Sequence, residues 1–218
     1  MKRSIILLFL FISATIAFAG KGLVVIQKYS TGTGDQNISV TWYITETQCK
    51  LKMQFSDKDV NTVSYFIPDT KANTLLTYAE GNTPAGTPKT YFAIPVQNIK
   101  ASTESFSLQR TGETKEVGGM SCEKIIATSN SSITEMWVTK NFNANYFQFA
   151  SFFKNSSELK ALSDGKIKGF PVSSVTKDNT GKVISNYEMV SVSSTDIADT
   201  EFKVPTEYKS VEEITKKN

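Results

Sequence analysis

Histidine is absent from all 218 residues. Its absence removes Ser-His-Asp and Cys-His nucleophile pairs, histidine general bases, and every zinc or iron site that uses an imidazole. Carboxylates, lysines and tyrosines can still move protons. The aspartates and glutamates, however, are scattered through strand-like and turn-like stretches, as solvated charges are. The chain is therefore expected not to be an enzyme, and no cofactor is expected. Cysteine is nearly absent, with Cys49 and Cys122 the only two. Two sulfurs without histidine make an incomplete zinc site, so no metal is expected either. There is also no excess of one charge: 24 basic side chains face 21 acidic ones. No basic stripe carries interleaved aromatics, which argues against nucleic acid as a partner. Internal repeats and low-complexity tracts are missing as well.

The N-terminus has a clear signal. Lys2 and Arg3 precede an apolar run from Ile5 to Phe11, and Ala17-Phe18-Ala19 follows. A basic start, a short apolar stretch and small residues at the cleavage positions make a secretory signal peptide, too short to be a spanning helix. Cleavage after Ala19 would give a mature chain from Gly20. The organisation expected is thus a signal peptide over 1–19 and one domain over 20–218. No cysteine follows the small-residue site, so no lipid anchor is expected. The mature chain would keep 22 basic and 21 acidic side chains, a net +1 in place of +3. The reading is a soluble monomer, periplasmic or secreted, without a stable membrane anchor. In that oxidising compartment Cys49 and Cys122 have two alternatives: a disulfide, or two buried thiols acting as small apolar residues. Pairing requires Cα atoms about 4.4–6.8 Å apart, which spacing alone does not establish.

From Gly22 to Thr139 the pattern is strand after strand. Ile38, Val40, Trp42 and Ile44 share one parity, as do Leu51, Met53 and Phe55. Each such strand has one buried and one wet face. Further strands are predicted at 62–67, 74–79, 90–95, 105–110, 121–127 and 133–138. Strands without intervening helices make an antiparallel meander and exclude βαβ units. Between Asn143 and Ser163 the period changes, with Tyr146, Phe149, Ala150 and Phe153 at helical spacing and Asn143 placed as N-cap. Asn155 with Glu158 predicts a second, box-capped start. After Gly165, strands at 170–176 and 182–192 flank Asp178-Asn179-Thr180-Gly181, a hairpin turn that lacks the acidic ligands of a calcium loop.

Three stretches carry a family resemblance. Val117-Gly118-Gly119-Met120-Ser121-Cys122-Glu123-Lys124 is similar to the glycine-then-cysteine strand of the exported bacterial DUF4412 family. Glu135-Met136-Trp137-Val138-Thr139-Lys140 resembles its next strand, and Phe202-Lys203-Val204-Pro205-Thr206-Glu207-Tyr208 its closing motif. Gly169-Phe170-Pro171 falls in the expected order between them. The resemblance implies a fold like that of the periplasmic lipoprotein carriers (LolA-like): a strongly curved antiparallel sheet, or half-open β-barrel, with one helical segment in its concave face. It brings no catalytic residues with it.

Two functions compete on these grounds. One is a binding protein that holds a lipid, an acyl chain or another apolar ligand between sheet and helix, with Trp42, Met53, Phe55, Phe149 and Phe153 as lining. The other is an envelope structural or interaction protein in which the same five residues are filled core and no groove above about 300 Å³ exists.

Overall fold

The computed structural model describes residues 19–32, 34–57, 60–81, 87–100, 103–140, 149, 151–153, 156–165 and 167–212. The N-terminal half is an antiparallel meander of β1 (Ala19–Thr31), β2 (Gly34–Ile44), β3 (Cys49–Asp57), β4 (Val60–Asp69), β5 (Thr74–Glu80) and β6 (Thr90–Pro95). A second meander follows, comprising β7 (Ser107–Val117), β8 (Met120–Thr128), β9 (Ser132–Thr139), β10 (Phe170–Asp178) and β11 (Val183–Ala198). Long-range pairing of β1 with β11, from Ala19 opposite Ala198 to Thr31 opposite Ser185, fuses the two into one sheet. The two-residue β12 (Lys209–Ser210) adds a parallel pair at β6. The sheet is strongly curved and not closed, with β12 and β7 as its ends. It is a half-open barrel, as the family resemblance implies.

Alternation decides which face goes in. Ile38, Val40, Trp42 and Ile44 of β2 are all buried, and Val25 of β1 and Leu51 of β3 lie beside Trp42 on the same face. Free edge strands invite pairing with other chains. Along β7, Arg110, Glu113, Lys115 and Glu116 are exposed, and a bulge between Arg110 and Thr114 interrupts the ladder. The β7–β8 turn places Gly118 and Gly119 at φ 58° and 77°, the mirror-image turn that suits the twist of a hairpin. In the β10–β11 turn, Gly181 takes φ 86° and Asp178 Oδ1 accepts from the amides of Thr180 and Lys182.

The helix described in full is α1 (Ser157–Asp164). Its N-cap is Ser156, whose Oγ accepts from the Leu159 amide at 3.4 Å. That places the cap one residue beyond Asn155, which lies outside the described residues together with Asn143, Tyr146 and Ala150. Phe149, Phe152 and Phe153 form turns ahead of α1, the Phe152 amide donating to Phe149 O and the Ser156 amide to Phe153 O. All three rings are buried in the main core, and Phe153 meets Trp42 of β2 there. Ala161 and Leu162 point the other way, onto Ile125, Ala127, Met136 and Val138 of β8 and β9. Burying each large side chain contributes about 1.5–3 kcal/mol, so the aromatic turn and α1 are held in the concavity by packing.

Candidate functional site: an apolar groove in the concave face

The site begins with a gap in the sheet. Only Ser174–Lys177 of β10 pair with β11, and a bulge sits between Pro171 and Ser173 against β9. The carbonyls of Pro171 and Val172 consequently need partners from elsewhere. Gln27 of β1 supplies them: its Nε2 donates to both, at 3.0 and 3.1 Å. Its Oε1 accepts from Trp42 Nε1 at 3.1 Å. With 3% of its surface exposed, this amide spans the gap and fixes the indole. Trp42 then meets Phe153 and Phe170 edge-on, with ring centroids 5.3 and 5.8 Å away. Phe170 is positioned by Gly169, which sits at φ 140°. A Cβ there would lie 2.6 Å from the Thr139 carbonyl, so glycine at this point of the motif has a steric cause.

Between the sheet and the aromatic turn lies a cavity of about 690 Å³, inside the usual range of small-molecule sites. One wall is apolar and comes from β2 to β6 through Val40, Trp42, Leu51, Met53, Phe66 and Leu75. Phe152, Phe153 and Leu159 face it. The other wall comes from β9, β10 and β11 and is rich in hydroxyls: Ser132, Ser174, Thr176 and Ser185. Thr176 shares a 3.0 Å hydrogen bond with Thr134. Ser174 is 4% exposed, and its hydroxyl has no partner among the described residues. Near Ser131 and Ser132 stands Glu104, whose Oε1 accepts from the Ser129 and Ser131 hydroxyls.

Of the five residues predicted as lining, Trp42, Met53 and Phe153 border this cavity. Phe149 does not: it is fully buried in the main core. Phe55 is half-buried against the same core and also lies off the cavity. Gln27 and the hydroxyl wall were missed by sequence reasoning. A polar residue on the inward parity shared by Leu23, Val25 and Tyr29 was the available signal for Gln27.

Cys49 and Cys122 are free, which is the buried-thiol alternative and not the disulfide. Cys49 belongs to β3 and Cys122 to β8, and both pack as small apolar side chains in the main core. The Cys122 sulfhydryl is turned to its own strand, donating to Met120 O at 3.4 Å. Burial pushes both thiols above their ordinary range.

The opposite face of β3–β6 carries a second cluster. Tyr65 stacks on Tyr78 with centroids 4.5 Å apart, and Tyr208 closes on Tyr78 at 4.8 Å. Lys50, 7% exposed at its side chain, pairs with Glu201 at 2.8 Å and lies 4.8 Å over the Tyr65 ring. Phe202 and Tyr208 are buried, so the segment matching the family's closing motif straps the back of the sheet. Burial, and then the neighbouring Glu80, raise the Tyr65 and Tyr78 phenols above their ordinary values. Among the described residues no cluster of three or more Cys, Asp and Glu side chains forms a metal site. No helix there is long and apolar enough to cross a membrane.

These features define a class: an open, curved-sheet protein with an apolar groove beneath an aromatic turn. The family model described as "Domain of unknown function (DUF4412)" matches residues 21–208, and the chain belongs to that family. No curated protein matches it. Among solved structures, PNGF-II is similar at 14% identity and a TM-score of 0.45, over 91% of this chain and 33% of that one. MucB is similar at 9% identity and a TM-score of 0.45, over 88% and 60% respectively. A domain from Vibrio parahaemolyticus described as an outer membrane lipoprotein-sorting protein is similar at 9% identity and a TM-score of 0.34, over 84% and 89%. The chain thus spans about a third of the length of PNGF-II.

Proposed function

We propose that this protein is an exported, non-catalytic binding protein that holds a lipid, an acyl chain or another apolar ligand in the groove between sheet and aromatic turn. The observation that carries this reading is the cavity of about 690 Å³ with Trp42, Leu51, Met53, Phe66 and Phe153 on its walls. A protein whose core served packing alone would close these side chains on one another, because every void forfeits contacts. Here the sheet stays open and Gln27 pins Trp42 at the groove's edge. The filled-core envelope protein is the weaker alternative for that reason. Export rests on the signal-peptide pattern, with cleavage after Ala19 and release as a monomer into the periplasm or medium.

The direct test is native mass spectrometry of the protein purified from its own host without detergent. A co-purifying lipid-sized mass that is lost on organic extraction is the expected result. A bare chain mass in every preparation, together with no uptake of extracted envelope lipid, contradicts the reading.

A further inference from the structure

The groove's two walls differ in a way that apolar binding alone does not require. Register places Thr134 beside Thr176 and Thr176 beside Ser185, and one row further on it places Ser174 beside Tyr187. Thr134 and Thr176 satisfy each other. Ser174 is different, being 96% buried and turned into the groove without a partner among the described residues. Buried hydroxyls are nearly always hydrogen-bonded, and one that is not calls for an explanation. Charge narrows the explanation. Among the described lining residues there is no lysine or arginine, and the one charged side chain is the carboxylate of Glu104.

We propose that the hydroxyl wall is a head-group subsite for amphiphiles with an uncharged, hydrogen-bonding head. The hydrocarbon chain lies along β2 to β6, and a hydroxyl, ester or amide reaches Ser174. A free carboxylate or another anionic head is selected against, because it would leave water without finding a counter-charge. This inference rests on the apolar-groove reading and adds the chemistry of the ligand's head.

The test compares three probes by titration of the full mature chain: glycerol monolaurate, laurate at about pH 8, where its carboxyl is ionised, and the uncharged fluorophore N-phenyl-1-naphthylamine. Wild type is expected to bind the monolaurate roughly tenfold or more tightly than laurate. Ser174→Ala removes one neutral hydrogen bond, so monolaurate affinity should fall about three- to tenfold, with laurate and the fluorophore unchanged. The same variant should melt at or above the wild-type temperature, because deleting an unpartnered hydroxyl removes a cost, whereas a structural serine would lose stability. Fluorophore binding with equal affinity for the two laurates, or with a Ser174→Ala variant that binds monolaurate as wild type does, overturns the head-group subsite alone. Binding of none of the three overturns the groove reading itself.

Discussion

At the scale of single residues, Gln27 has the largest role for its size. It satisfies three groups, namely two carbonyls freed by the β10 bulge and the indole N–H of Trp42. Gln27→Leu keeps the volume and orphans all of them. The expected cost is about 3 kcal/mol, read as a lower urea midpoint at unchanged m-value. An unchanged midpoint would mean that water replaces the amide and that Trp42 is held by packing alone. The cysteines make a second residue-scale prediction. With both thiols buried and pushed above their ordinary range, Ellman's reagent should react slowly with the folded protein and count two thiols once it is unfolded without reductant. A count of zero would restore the disulfide. Trp42, Met53 and Phe153, each a bulky apolar group read on an inward parity or at helical spacing, border the cavity. Phe149 and Phe55 carry the same pattern yet lie off the cavity, since periodicity tells inward from outward but does not separate the cavity wall from the layer behind it.

At the scale of elements, the strands from β2 to β6 and β8 to β10 were readable because alternation is local and each has one wet face, whereas β7 and β11 run on past the expected 105–110 and 182–192. The partner of each terminal strand was not readable. Pairing of Ala19–Thr31 with Val183–Ala198 joins segments more than 150 residues apart in sequence, and nothing in either stretch names the other. Helix α1 was legible from the second start expected at Asn155 with Glu158, and its cap falls on Ser156 because serine's Oγ reaches the Leu159 amide there, whereas Phe149 and Phe153, read at helical spacing, lie in the turns ahead of it. The tyrosine cluster went unread: Tyr65 and Tyr78 fall on the outward parity, and only the C-terminal strap buries them. The cluster has a pH signature. Its phenols sit above their ordinary value of about 10 in the folded protein, so the unfolded chain releases those protons first. Their contribution to stability is complete below about pH 10 and is lost as pH rises past it. Phenolate absorbance should therefore show some tyrosines ionising only as the sheet unfolds, and Tyr78→Phe should flatten the alkaline loss of stability. All phenols ionising near pH 10 with the fold intact would contradict this account of the strap.

At the scale of the whole molecule, two meanders joined through β1 and β11 curl far enough to make a concavity but do not close it. The aromatic turn and α1 occupy part of that space, and the C-terminal strap covers the back of β3–β6. What remains is the groove, and its proposed role is to take up an apolar ligand. Filling tests it better than truncation, because removing a large core side chain also costs about 3–5 kcal/mol of stability and confuses the two effects. Met53 is suited to filling, being half-buried on the apolar wall with open volume before it. Fluorescence titration with N-phenyl-1-naphthylamine should show saturable one-to-one binding by wild type, and Met53→Trp should weaken it by about tenfold or more while leaving the melting temperature within a few degrees. No saturable binding by wild type, or equal binding by a folded Met53→Trp variant, would contradict the claim.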